Sequence, residues 1–319
     1  MTLEHTLDWL AQSQCEDSQN KRQWADEQLE ERSCSSDGEQ WENLPIYRSS
    51  SSLLQVLIEL NDPIGLQRAL RLGADVTSAS PQLGKTPLQE AAESNQLECL
   101  ELLLAFGANL EQHDGNGDTA LHYAAGGNAV QAAEWLLQKG ARVNAHDGVT
   151  GKTPAFDAFS PEMTELMFRY GADPLARDAT GDTLLSYAIM SEDPKLVQNL
   201  LGHGCDINQR DGGAWTPLQL SINRGNRAVF QLLLDHGACV DHDPSDPLFH
   251  MLADHHRLEW AGALLTAGAD PHLTNQAKQT VLEYIQEKLN NPVLAASWRQ
   301  LMIDHHLPSA KPKGLSPRF

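Results

Sequence analysis

Residues 84–114 read GKTPLQEAAESNQLECLELLLAFGANLEQHD, and residues 115–147 read GNGDTALHYAAGGNAVQAAEWLLQKGARVNAHD. The two stretches share one order of small, apolar and polar residues, and Thr86 and Thr119 lie 33 residues apart. Self-similarity at a fixed period of this size indicates a repeat architecture. The rest of the chain is therefore compared with this pair.

Each stretch predicts two short helices. Thr86 is typical of a helix start because its hydroxyl can accept a hydrogen bond from the first turn, and Pro87 sacrifices no hydrogen bond there. Gly107 is typical of a helix end, since glycine takes the left-handed conformation without steric penalty. Between these signals the apolar residues follow two helical stripes, Leu88, Ala91 and Ala92 in the first and Leu97, Leu100, Leu103 and Leu104 in the second.

Helices of this length are not stable alone in water. The small side chains of Ala91 and Ala92 allow two helices to approach closely. Most of the apolar face can be covered only by a neighbouring copy of the same unit. The pattern therefore predicts helix pairs that stack in a row.

The quoted motifs carry a resemblance to a known family. The strings T-P-L-x-x-A-A at 86–92, T-A-L-H-Y-A-A at 119–125 and G-A-N at 107–109 resemble the ankyrin repeat, a unit of about 33 residues with a turn and two helices. Helix-end signals recur along the chain at spacings of 34, 33, 31, 33, 33 and 31 residues. They are Gly73-Ala74-Asp75, Gly107-Ala108-Asn109, Gly140-Ala141-Arg142, Gly171-Ala172-Asp173, Gly204-Cys205-Asp206, Gly237-Ala238-Cys239 and Gly268-Ala269-Asp270.

The resemblance covers roughly residues 50–307 and implies an all-α ankyrin-repeat solenoid of about eight helix-turn-helix units. It implies a fold and a mode of binding, and it does not imply a particular partner. We therefore divide the chain into an N-terminal extension (1–49), the repeat domain (50–307) and a basic tail (308–319), which we expect to be flexible.

The fourth unit departs from the pattern. From Thr153 to Gly171 there are 18 residues where most intact units have 21, so three are missing near Phe159. Ser160 and Pro161 then restart a helix. The deletion is interpreted either as tolerated drift or as a change in the angle between neighbouring units.

The N-terminal extension is acidic. Residues 1–47 contain eleven Asp or Glu and three Lys or Arg, a net charge of −8, and lack the repeat signals. One interpretation is a disordered leader or a cap over the apolar end of the array, which repeat proteins need. The other is a partner-binding or self-inhibiting segment with Trp9, Trp24, Trp41 and Tyr47 as anchors.

Composition limits the possible functions. A net charge of −20 argues against nucleic acid or an anionic membrane as the ligand and favours a basic protein partner. No apolar run is long enough to span a bilayer, and the first residues do not resemble a secretory signal. Five scattered cysteines match neither a metal site nor a disulfide framework. We expect a cytoplasmic protein, monomeric rather than oligomeric.

Histidines are the first candidates for a metal or catalytic site. His242, His250, His255 and His256 crowd one region near Asp241, Asp243 and Asp254, and the string Asp-His-His occurs at 254–256 and again at 304–306. Metal ligands must converge on one point, whereas adjacent histidines on a helix diverge. No phosphate-binding loop or nucleophile elbow is present either. The sequence predicts no catalytic residue, no metal and no cofactor.

A partner-binding surface is the better expectation. In ankyrin-repeat proteins the partner meets the concave side, made of the loop tips before each start residue and the exposed face of each first helix. Carried over position by position, the resemblance implies Gln82, Leu83 and Lys85; Asn116, Asp118 and Gly126; Val149, Thr150 and Lys152; Thr180, Asp182 and Met190; and Gly213, Trp215 and Asn223.

Among these residues Trp215 differs in kind, because it precedes Thr216 at a tip where other units have Lys, Asp or Gln. Exposed aromatic residues contribute disproportionately to binding. It either contacts a partner or lies flat on a neighbouring loop. Trp135 and Trp260, by contrast, fall on second-helix stripes and are predicted to be core.

Two functions remain open. The first is an adaptor or scaffold that holds a segment of another protein and has no enzymatic activity. The second is an acidic inhibitor, such as an immunity protein, that occludes a basic toxin or a nucleic-acid-acting enzyme. Charge steering favours the second, and an aromatic-dominated contact would favour the first.

Overall fold

The computed structural model describes residues 19–30, 53–80, 84–241, 248–287 and 289–307. Within these ranges the regular structure is helical and no strand occurs, so the predicted all-α class is confirmed. An isolated bridge joins Arg177 to Thr183. The chain divides into two compact units, Met1–Asp173 and Pro174–Phe319.

The first unit contains helix pairs in which a short first helix is followed by a second helix. One further helix, α1 (19–30), precedes them. The pairs are α2 (Leu53–Glu59) with α3 (Pro63–Arg71), α4 (Pro87–Glu93) with α5 (Leu97–Ala105), α6 (Ala120–Gly126) with α7 (Val130–Gln138), and a 3-10 turn (Pro154–Asp157) with α8 (Pro161–Arg169).

The second unit repeats this order. Its pairs are α9 (Leu184–Met190) with α10 (Pro194–Gly202), α11 (Pro217–Arg224) with α12 (Arg227–Asp235), α13 (Leu248–Asp254) with a 3-10 turn (Leu258–Trp260) that runs into α14 (Ala261–Thr266), and α15 (Val281–Glu287) with α16 (Pro292–Asp304). Within each unit, first helices pack against first helices and second against second.

The predicted helix signals are present as hydrogen bonds. Thr86 accepts from the backbone N–H of Gln89 at 3.3 Å, and the Gln89 side chain accepts from the Thr86 N–H at 2.7 Å. Such reciprocal caps satisfy two N–H groups that the helix itself cannot. Thr183 and Thr216 begin α9 and α11 in the same way. Gly107 follows α5 with φ +93°, as predicted.

In several repeats the third residue of the first helix also joins that helix to the next repeat. Its side chain is buried, yet it remains hydrogen-bonded because it reaches the carbonyl just before the next start residue. In the first unit these bonds run from Gln55 Nε2 to Lys85 O (2.9 Å), from Gln89 Nε2 to Asp118 O (2.8 Å) and from His122 Nε2 to Lys152 O (3.2 Å). In the second unit the His250 ring nitrogen lies 3.0 Å from Gln279 O.

Alanines allow the first helices of the first unit to lie close together. Ala91 and Ala92 on α4 and Ala124 and Ala125 on α6 are fully buried at the contact between the two helices. Larger buried side chains come from both helices of a pair, such as Leu88 on α4 and Leu100 on α5. The core is therefore a row of small interfaces, each shared by neighbouring repeats.

The fourth repeat is altered where the sequence is short. The three missing residues leave a 3-10 turn, Pro154–Asp157, in place of a first α-helix, and Phe159 beyond it is exposed. Ser160 caps α8 as predicted, accepting from the Met163 N–H at 3.1 Å. Any effect of the deletion on the angle between units stays a prediction.

The two tryptophans predicted as core differ. Trp260 is buried and packs against Phe230 with ring centroids 5.1 Å apart. Trp135 is only half-buried, so that prediction is wrong. The apolar stripe of α7 is centred on Ala132, Ala133 and Leu136, and the Trp135 ring lies at its edge under the Lys139 ammonium, 5.3 Å from the ring centroid.

The predicted boundaries at residues 49 and 307 stay predictions. Of the extension 1–49, the described part is α1, in which Ala25, Gln28 and Leu29 are buried. Trp9, Trp41 and Tyr47 lie outside the described residues, as does the tail 308–319.

The buried imidazole of His122 predicts a pH-dependent stability. Burial lowers its pKa below 6.5, although the hydrogen bond to Lys152 O opposes the shift. The folded state therefore favours the neutral ring, and its contribution to stability is complete above pH 6.5 and is lost as the pH falls below that value. We expect His122→Gln to make the free energy of unfolding less sensitive to pH between about 7.5 and 5.

Urea denaturation followed by circular dichroism at several pH values tests this expectation. Glutamine is the matched substitution, because Gln55 and Gln89 make the same bond in neighbouring repeats without titrating. The control is His146→Gln, since His146 is exposed in a loop. If His122→Gln retains the full pH dependence of the unaltered chain, the assignment to His122 is wrong.

Candidate partner-binding surface

An aspartate at the base of the tip loop fixes the loop's shape in several repeats. In the first unit the Asp114 carboxylate accepts backbone N–H groups of Asn116 (2.9 Å) and Asp118 (2.8 Å). Asp147 accepts from Val149 and Gly151, each at 2.9 Å. Burial alone would raise the pKa of Asp147, but its hydrogen bonds outweigh burial and lower it. These hydrogen bonds hold the tips in one conformation.

The second unit has the same construction. Asp178 accepts from the backbone N–H groups of Thr180 and Asp182 at 2.9 Å each, and Asp211 accepts from Trp215 at 2.8 Å. A tyrosine on the following first helix completes the turn, since the Tyr187 hydroxyl donates to Asp178 at 3.0 Å. Tyr123 does the same for Asp114 in the first unit, at 2.9 Å. These tips are thereby attached to their own first helices.

Glycines bring neighbouring tips into backbone contact. Gly117 has φ +93°, and a Cβ there would collide with the backbone nitrogen of Gly148 in the next tip. In the second unit a Cβ on Gly181 would lie 3.2 Å from the Cα of Gly212. Only glycine permits both the positive φ and this approach. Within each unit these tips therefore form a continuous row.

The predicted contact residues of the first unit fall into two groups. Asn116 and Val149 are exposed, and 65% of Val149 is accessible despite its apolar side chain. Lys85, Asp118 and Lys152 are half-buried along the same row. Gln82 and Leu83 lie outside the described residues.

Lys85 is bound within the chain. Its ammonium lies 2.9 Å from a Glu90 oxygen, contacts Glu93, and sits 4.6 Å above the centre of the Tyr123 ring. Burial lowers the pKa of Lys85, but the hydrogen bonds to Glu93 and Glu90 outweigh it, so the net shift is upward. This pairing was missed at the level of sequence, because the carboxylates come from the next turns of α4 and the ring from another repeat.

Asp157, a carboxylate that the sequence analysis did not select, lies near the predicted residues Asp118 and Lys152. Burial raises the pKa of Asp118, and repulsion from Asp114 and Asp147 adds to the shift. Burial also raises the pKa of Asp157, against the attraction of Lys152 and His122. Burial is the first cause of both shifts, and repulsion between neighbouring carboxylates adds to the shift of Asp118.

A positional signal for Asp157 was available. It lies four residues after its start residue Thr153, at the position where Glu90 and Tyr123 lie in their repeats. The sequence analysis selected residues at the tips and at a later position of each first helix. It therefore did not include Asp157.

In the second unit Thr180 and Asn223 are exposed, whereas Asp182, Met190 and Trp215 are half-buried. The Asp182 carboxylate accepts from the backbone N–H of Gly212 at 3.0 Å, which joins two tips. Trp215 lies against its own loop: a Cβ on Gly213 would be 2.9 Å from its Cδ1 atom. The indole therefore presents part of its surface rather than projecting freely.

Among the residues that the structure describes, no group of three His, Cys, Asp or Glu side chains is placed to hold a metal ion; His242 and Asp243 lie outside them. Within those residues no helix has the length and apolarity needed to cross a membrane.

Comparison with known proteins identifies the family. The family model for ankyrin repeats (three copies) matches residues 48–147 and 185–275, so the chain belongs to the ankyrin-repeat family. A solved structure, the ankyrin repeat domain of Bcl-3, described as a unique member of the IkappaB protein family, is similar at 26% identity and a TM-score of 0.52. The match covers 59% of this chain and 84% of that one. No curated protein sequence matches. Ankyrin repeats are protein–protein interaction modules.

The close approach of tips predicts unequal effects of two alanine substitutions. Gly107 and Gly117 share φ +93°, but a Cβ on Gly107 would have no atom within 4 Å. Gly107→Ala should cost about 1 kcal/mol through backbone strain alone. Gly117→Ala should cost a further ~1–2 kcal/mol, because the adjoining tip must move.

Urea unfolding of the two variants measures both losses, and Gly107→Ala serves as the control for φ. Equal destabilisation would mean that the tips of this unit are not in backbone contact.

Proposed function

We propose that this chain is a non-catalytic adaptor that binds a segment of another protein along the concave surface formed by its tips and first helices. The observation that carries the proposal is the rigid construction of tips that nevertheless present accessible side chains. Asp114 and Asp147 fix the loops, while Asn116 and Val149 remain exposed. A surface that is ordered before binding loses less entropy when a partner arrives.

Apolar surface at the tips supports an anchored contact. Val149 is exposed at one tip, and Trp215 keeps part of its ring accessible at another. Tryptophan is enriched among residues that dominate binding energy. An apolar side chain of a protein segment would suit each of these tips.

A second candidate function is an acidic inhibitor of a basic toxin or nucleic-acid-acting enzyme. Asp118 lies close enough to Asp114 and Asp147 for their repulsion to add to the effect of burial in raising its pKa. A basic partner would pair with these carboxylates. Such a partner would be steered by the field of the whole chain, whose net charge is −20.

A reducing compartment suits the cysteines, and we propose the cytoplasm. Cys99 and Cys205 are buried and form no disulfide within the described residues, and burial raises the pKa of Cys99 to about 11. A thiol in that state is a packing group rather than a reactive one. We propose a monomer.

Replacement of Trp215 tests the adaptor function. After capture of a partner on the immobilised full chain and its identification by mass spectrometry, Trp215→Ala should weaken binding by about 2 kcal/mol, roughly thirtyfold in Kd. The matched control is Trp135→Ala, a half-buried tryptophan on a second helix. Calorimetric titration gives Kd, and circular dichroism checks that the helices remain. Equal affinities for Trp215→Ala and the unaltered chain would remove this residue from the surface.

Salt dependence separates the two functions. If the partner is basic and steered by charge, its association rate should fall about tenfold or more between low and high salt. The double variant Asp118→Asn/Asp157→Asn should start slower and show a weaker dependence. Stopped-flow or surface-based kinetics provide the rates. An association rate that does not change with salt would reject the inhibitor and leave the adaptor.

A further inference from the structure

The first helix of the first repeat is buried on all sides. Six consecutive residues of α2, from Leu53 to Ile58, are buried. At about 3.6 residues per turn, six consecutive residues point in every direction around a helix. The neighbours α3 and α4 pack against α2, but the first member of a stack has no preceding repeat to cover its remaining side. Another segment must cover it.

On the last helix of the second unit, α16, some apolar side chains are exposed. On α16, Val293 is 74% exposed and Ile303 is 63% exposed. No residue of α2 between Leu53 and Ile58 is exposed in this way. The first helix α2 is therefore covered, although Ile64 on the second helix of the same repeat is 81% exposed.

The helix α1 has one face suited to this role. Lys21, Trp24, Ala25, Gln28 and Leu29 follow the spacing i, i+3, i+4, i+7 and i+8 of a single helical face. Ala25, Gln28 and Leu29 are buried, Lys21 and Trp24 are half-buried, and the other residues of 19–30 are exposed. A helix gains such a face only by packing against something apolar.

Two ion pairs identify what this face packs against. Lys21 pairs with Glu59, the last residue of α2, and Arg22 lies 3.4 Å from the carboxylate of Asp62 in the turn between α2 and α3. The two basic residues of α1 thus meet two acidic residues of the first repeat. Exposed ion pairs add little stability, so their effect is to fix the register in which the apolar face docks.

We propose that residues 19–30 are the amino-terminal cap of the repeat array, docked on the first repeat through Ala25 and Leu29 and oriented by the pairs Lys21–Glu59 and Arg22–Asp62. In this role the face of α1 that contains Trp24 packs against the first repeat and does not bind a partner. It covers the apolar side of α2 in place of a preceding repeat. The proposal is independent of the partner and of the tip surface.

Hydrogen exchange of the full chain tests the cap. Leu29→Asp should undock α1 and lower the protection of the α2 amides by roughly tenfold or more. The protection of α6, two repeats away, is the internal reference and should not change. The matched control is Gln23→Asp, which places the same carboxylate on the exposed side of α1 and should leave α2 protected.

A charge-swap cycle tests the orientation and remains decisive if Leu29→Asp unfolds the whole chain. Lys21→Glu and Glu59→Lys should each increase exchange in α1 and α2, and the double variant should restore protection towards that of the unaltered chain. Unchanged α2 exchange in Leu29→Asp, or no rescue in the double variant, would overturn the proposal. Loss of partner affinity with unchanged exchange would also overturn it and would instead assign α1 to partner binding.

Discussion

A buried polar side chain at the third position of a first helix holds neighbouring repeats in register. Gln89 closes the cap of its own helix at Thr86 and also donates to Asp118 O in the next repeat. An unpaired buried amide would be costly, so the next repeat must supply that carbonyl in one place. The bond therefore converts a non-directional apolar contact between helices into one fixed arrangement. His122 does the same one repeat later.

The geometry of the tips follows from that bond. The carbonyls that accept it belong to the residue before each start threonine, which is the last residue of a tip loop. Once Asp118 O is held by Gln89, the loop that contains Asp118 can turn only within the space that Gly117 and Gly148 leave. Asp114 then fixes the turn from within. The tips that form the proposed binding surface are thus positioned by buried interactions within the chain.

Much of the fold could be predicted because its determinants are local. Thr86 and Gly107 act through hydrogen bonds and φ angles within a few residues, so a single repeat reveals them. The surface was harder to predict because its properties arise between repeats. Lys85 was predicted as a partner-binding residue, yet its ammonium is held by Glu90 and Glu93 of the following helix and lies over a ring 38 positions onward, Tyr123. The contact with Tyr123 depends on how neighbouring repeats stack, which spacing alone does not give.

The affinity for a partner could change without loss of the fold, because the residues that fix the repeats differ from those exposed at the tips. Residues that fix the repeats, such as Gln89, have no surface to offer a partner, whereas Val149 and Asn116 take no part in the bonds between first helices. The exposed side chains at the tips can be replaced while the aspartates and glycines beneath them stay. Lys85 and Asp182 belong to both groups, since each joins neighbouring elements and lies on the predicted surface. Substitution at those two positions would therefore alter the shape of the surface together with its charge, whereas substitution of Val149 would alter direct contact alone.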